Sequence, residues 1–156
     1  MTRTAARELA VLLCASLAPE DDAEAAAERF FEPEHYATLL GEGEQFSQTP
    51  DRRQGEYIRA IVRETQARRG ELDLLIGQYS RGWRVSRLSR TTAAILRCAV
   101  VEMQSVEDVP LSAAIDEAVE LAKKYEGPET GAFVNGVLGG IARGEQPAEE
   151  DAPEAD

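Results

Sequence analysis

The residues that most often carry chemistry are scarce in this 156-residue sequence. It has one histidine, His35, and two cysteines, Cys14 and Cys98, each set among apolar neighbours as small core residues often are. Two thiols and one imidazole cannot complete a tetrahedral zinc site without carboxylates, and isolated thiols in this context argue against a structural disulfide. There is no Gly-x-Ser-x-Gly elbow, no cysteine with a nearby histidine and no Walker-type glycine loop. Catalytic residues, metal ligands and cofactors are therefore all read as none. Long apolar runs are missing too, so no segment reaches the roughly 20 residues of a membrane span. The stretch from Leu9 to Leu13 is too short for a secretory signal and has helical spacing, so it reads as the first helix of a cytoplasmic protein.

Basic charge is also in short supply, but only in the sum. The net charge is −12, which at first argues against nucleic acid. Its distribution says more. Residues 19–50 hold nine acids and one base, and residues 145–156 hold six acids and no base. Residues 51–97 hold 11 bases and 5 acids. Every lysine or arginine outside Lys123 and Lys124 is an arginine. A basic middle is thus masked by an acidic total. A solvated helix surface gives the same pattern, and charge alone does not separate the two.

Period-2 alternation is absent, and helical periodicity runs almost throughout. Residues 4–18 place Leu9, Leu12, Leu13 and Leu17 on one stripe before Pro19. Residues 21–31 close on Phe30 and Phe31, and 34–41 add a short helix. Asp51 is a plausible cap for a helix to about Arg69, with Tyr57, Ile58, Ile61, Val62 and Thr65 inward. Gly70 interrupts, and Leu72, Leu75, Ile76 and Tyr79 continue. Ser89 or Thr91 starts the next helix, Ser112 caps 113–125, and the last helix covers about 130–142. The prediction is an all-α, compact bundle of about seven helices in two packed subdomains over 1–143. Residues 144–156 lack large apolar groups, cannot offset their ordering entropy, and are expected to be a disordered acidic tail.

Three features suit RNA. Arg3 and Arg7 lie four apart on the first helix and share a face. Arg81, Arg84, Arg87, Arg90 and Arg97 cluster near Tyr79 and Trp83. Phe133 sits early in the last helix beside Gly131 and Ala132. Basic groups hold phosphates and exposed aromatics stack on unpaired bases. Each aromatic is as readily a core residue. Gly136, Gly139 and Gly140 follow no strand, and close helix packing or fraying explains them better than phosphate binding.

The C-terminal half carries a resemblance. Arg87-Leu88-Ser89-Arg90 leads through Ala94-Ile95-Leu96-Arg97 to Val101-Glu102-Met103. Val109-Pro110, Ala114-Ile115-Asp116-Glu117-Ala118-Val119-Glu120-Leu121-Ala122-Lys123 and Phe133-Val134-Asn135-Gly136-Val137-Leu138 follow in order. Together they resemble the NusB family of transcription antitermination factors, well over 75–142, moderately over 51–75 and poorly before residue 50. The resemblance implies a non-enzymatic, two-subdomain helical protein. It would pair with NusE, a small-subunit ribosomal protein, and bind single-stranded boxA-type RNA. On the transcription elongation complex that pair supports ribosomal RNA synthesis. Carried over by position, Arg3, Arg7, Tyr79, Arg97 and Phe133 fall at or beside the RNA surface, and Leu111 and Glu129 on the NusE side. A homodimer is among the assemblies implied. Thr4, Ala5 and Ala15 stand where the family has bases and a tyrosine. Losing about two phosphate contacts flattens salt dependence on single strands by roughly one to two units of slope. The alternative is a protein-only interaction module with lost or weak RNA binding.

Overall fold

The computed structural model describes residues 1–46, 48–80, 83–105 and 109–144. Among the described residues there are eight α-helices, two 3-10 turns and no strand. The expected acidic tail from residue 145 onward and Arg81 of the arginine cluster lie outside the described residues. The contacts divide the chain into two units, Met1–Ala67 and Arg68–Asp156.

The first unit holds α1 (Arg3–Ala15), α2 (Ala23–Phe30), α3 (Pro33–Leu39) and α4 (Arg52–Ala67). Each start is set by a side chain that satisfies orphan backbone N–H groups. The Ala5 N–H donates to Thr2 Oγ1 at 3.0 Å, and Asp22 Oδ1 accepts from the Glu24 N–H at 2.9 Å. Pro33 opens α3, where Glu32 accepts from the His35 N–H. Asp51 does cap α4, as its sequence position suggests, and the cap is reciprocal. The Gln54 N–H donates to Asp51 Oδ1 at 2.8 Å, and the Asp51 N–H donates to Gln54 Oε1 at 2.9 Å. α1 packs on α4, burying Leu9, Leu13, Ile58, Ile61 and Val62. Beside them Phe30, Phe31, Tyr36 and Phe46 form an aromatic cluster with ring centroids 5.0–6.2 Å apart. Their separations lie in the range where tilted and edge-on pairs are favourable.

The second unit holds α5 (Arg69–Tyr79), α6 (Arg90–Ser105), α7 (Leu111–Glu126) and α8 (Pro128–Arg143). The break between α4 and α5 falls at Arg68, not at Gly70, which sits unstrained in the first turn of α5. Helix α6 is capped by Ser89, whose Oγ accepts from the Thr92 N–H at 3.0 Å. It packs on α5, α7 and α8 and is buried without interruption from Thr92 to Glu102. α7 begins one residue before the expected cap, with Pro110 rather than Ser112 at the N-cap position. It turns straight into α8 at Gly127, whose φ of 106° and ψ of 170° suit glycine alone. The resulting antiparallel pair has the most extensive packing in the unit. The expected small stripe is there, with Ala114, Ala118 and Ala122 buried. Close approach is enforced at Gly131, where a Cβ would lie 2.8 Å from Lys123 Cγ.

Candidate nucleic-acid interface

In the first unit, the two N-terminal arginines have different fates. Arg3 is exposed, and its guanidinium lies 4.2 Å over the Tyr57 ring centroid. Arg7, one turn further, is only 8% exposed. The four-residue spacing does put both on one helix face. That face descends into the interior, because α1 is buried continuously from Ala6 to Val11. Tyr57, assigned by periodicity to the core, is half-buried at the rim of α4. Arg53, one turn earlier on the same helix, is exposed. The first unit also carries an open cleft of about 520 Å³, floored by Leu13, Leu17, Ala26 and Phe30, with His35 exposed at its rim.

In the second unit, Arg97 is held rather than presented. Its Nε donates to Asp73 Oδ1 at 2.6 Å and its Nη2 to Asp73 Oδ2 at 3.1 Å. Arg97 is 8% exposed. This two-pronged pair ties α5 to α6 and fixes the guanidinium plane. A second polar staple shapes the next segment. Buried Ser80 donates through Oγ to the Trp83 carbonyl at 2.6 Å, and Val85 is buried in the 3-10 turn Val85–Arg87. With Val85 anchored inward, Trp83, Arg84, Arg87 and Arg90 point outward and are exposed. Trp83, which is as readily a core residue by type, is 51% exposed.

Tyr79, at the end of α5, and Phe133, on α8, are half-buried. Around Phe133 the helix face is low. Ala132 and Gly136 are exposed, and open space surrounds Gly136. Of the glycines read as packing or fraying residues, Gly139 and Gly140 are buried and Gly136 is not. Leu111 is 44% exposed and Glu129 is also exposed. They do not adjoin one another. Leu111 opens α7 and Glu129 lies in the first turn of α8, so the antiparallel pair separates them by roughly 24 Å, the length of a 16-residue helix.

Two titrating groups are displaced by their surroundings. Burial raises the Tyr36 hydroxyl above its ordinary value of 10.0; that hydroxyl donates to the Gln48 carbonyl at 2.9 Å. A hydrogen bond from Arg68, together with its charge, lowers the Glu71 carboxyl. Among the described residues there is no group of three or more His, Cys, Asp or Glu arranged to hold a metal ion. No helix among them is long and apolar enough to cross a membrane.

A sequence profile of the NusB family matches residues 4–143. The chain belongs to the NusB family. The match runs through the N-terminal segment as well, where the motif resemblance is poor. A transcription antitermination protein NusB from Syntrophotalea carbinolica is 36% identical over 143 residues, covering 90% of this chain and 92% of that one. Proteins of the same name from Acetivibrio thermocellus and Symbiobacterium thermophilum are 46% and 49% identical over 88 and 98 residues. Those matches span 56% and 61% of this chain but only 61% and 64% of the relatives' own length. Among solved structures, T. maritima NusB superposes with a TM-score of 0.69 at 27% identity, covering 94% of both chains. A chain from the "Crystal Structure of a Plectonemic RNA Supercoil" gives 0.64 at 25% identity, covering 91% of this chain and 94% of that one. The all-α NusB fold thus accounts for nearly the whole described body.

Proposed function

We propose that this chain is a non-enzymatic, cytoplasmic transcription antitermination factor. It binds single-stranded boxA-type RNA together with NusE and acts on the transcription elongation complex, supporting ribosomal RNA synthesis. Its working body is 1–143, with the acidic segment 144–156 beyond it. The observation that carries the RNA reading is the outward arginine segment of the second unit, where Trp83 stands among Arg84, Arg87 and Arg90. Arginines hold phosphates and a flat aromatic takes a base face, the combination that unpaired RNA needs. Arg3, Tyr79 and Phe133 join as direct contacts. Arg7 and Arg97 act from behind, holding α1 and the α5–α6 pair in place. Leu111 and Glu129 meet NusE along the length of the α7–α8 pair. RNA and NusE then raise each other's affinity by the same factor.

Fluorescence anisotropy with a boxA-like strand, with and without NusE, tests this. Sub-micromolar binding that weakens with salt supports it. A second reading is favoured by the burial of Arg7 and Arg97. In that reading the chain is a protein-only module, binding NusE or a second copy of itself. Intact NusE binding with no RNA binding at any salt concentration would select it.

A further inference from the structure

We infer that Arg3, Tyr57 and Arg53 form a nucleotide subsite on the first unit, taking one unpaired base and its phosphate. The inference rests on the RNA reading above and extends it to α4, which no sequence motif singled out. Arg3 lies 4.2 Å over the Tyr57 ring. The guanidinium is thereby held against the aromatic, and the exposed side chain offers a cationic group beside a ring. Bases stack on arginine planes as they do on aromatic rings, and the contact with the Tyr57 ring restrains the guanidinium at the surface.

The pair is pre-organised. Arg3 is the first residue of α1, fixed by the Thr2 cap. The Met1 carbonyl accepts from the Gln54 side chain, whose amide oxygen and backbone N–H also complete the α4 cap with Asp51. The start of α1 is therefore tied to the start of α4, and little ordering remains to be done on binding. Arg53 lies one turn before Tyr57, on the same face of α4 and exposed to solvent. It is placed to meet the phosphate adjoining the stacked base. The local acids have other partners: Asp51 accepts from Gln54, and Glu56 pairs with Arg52 at 3.6 Å. Charge favours a polyanion, and the aromatic–guanidinium pair selects one with flat bases. An acidic peptide would need Arg3 and Arg53 but would gain nothing from Tyr57.

The test uses the full chain and a 12-nucleotide single-stranded boxA-type RNA carrying 4-thiouridine. Tyr57→Leu should weaken binding about tenfold, while Tyr57→Phe, which keeps the ring, should bind like wild type. Arg53→Gln should reduce the salt slope by about 0.7. Irradiation of the wild-type complex should give adducts on the peptide containing residues 53–59. If Tyr57→Leu folds and binds RNA as tightly as wild type, the subsite is overturned and the broader RNA reading stands. If that variant does not fold, the absence of wild-type adducts at 53–59 overturns it. If the wild-type chain binds no RNA even with NusE, both fall.

Discussion

At the scale of single residues, the decisive fact about Arg97 is the company it keeps. Its sequence position invites a phosphate, yet Asp73 takes two of its donors. Removing Asp73, itself half-buried, leaves the buried Arg97 charge uncompensated, at a cost of about 1–3 kcal/mol. Asp73→Ala should therefore lower unfolding free energy by about that amount in urea titrations. Arg97→Met, which removes the charge but keeps the stem, should cost less than Asp73→Ala. Equal losses would deny Arg97 its bracing role. Tyr36 makes a second residue-scale prediction. Burial favours its neutral form, so its contribution is fully present below pH 10.0, the ordinary value, and is lost as pH rises through the raised value. Tyr36→Phe should cost about 1 kcal/mol at neutral pH, from the lost bond to Gln48. It should also flatten the alkaline decline in thermal melting above pH 10. The sequence showed Arg97 but not its partner, because Asp73 stands 24 residues away on another helix. That Tyr57 is half-buried and not in the core is hidden for a related reason. Periodicity marks the side of a helix that faces inward, not where the edge of that side meets solvent.

At the scale of elements, the chain wrote its own starts and stops. Asp51, Ser89 and Gly127 all act near where their types suggest, since caps are local chemistry. What escaped was the α4–α5 break, which falls at Arg68 with no side-chain cap and no helix breaker. Local sequence signals of the kind that set the other helix ends are missing there, so the break is not legible in the sequence. The corner between α7 and α8 is the most constrained element. Gly127→Ala should destabilise by about 1–3 kcal/mol, because its backbone angles belong to glycine. Gly136→Ala is the contrast, since a Cβ there meets nothing within 4 Å. It should be neutral or stabilising by up to about 1 kcal/mol through helix propensity. Denaturant unfolding of both variants checks the pair, and a loss at Gly136 as large as at Gly127 would contradict the account. The outward set of Trp83 shows the limit of local reading. Only burial of Val85 and the Ser80 staple reveal which way that turn faces.

At the scale of the whole molecule, composition and periodicity were enough for the all-α class, and the ordered motifs of the C-terminal half were enough for the family. Function hangs on how charge is laid out. An acidic chain presents outward arginines in a basic middle, and its last 12 residues add six acids and no base. Shortening the chain to residues 1–144 should raise affinity for single-stranded RNA several-fold at low salt, with the gain vanishing as screening sets in. In the proposed function, the exposed arginine segment of the second unit grips the RNA backbone. The most direct test of that grip is the slope of log Kd against log salt for boxA-type RNA, for wild type and for the triple variant Arg84→Ala, Arg87→Ala, Arg90→Ala. Three lost phosphate contacts on a single strand should flatten that slope by about two units. A triple variant that folds and keeps the wild-type slope would contradict the claim.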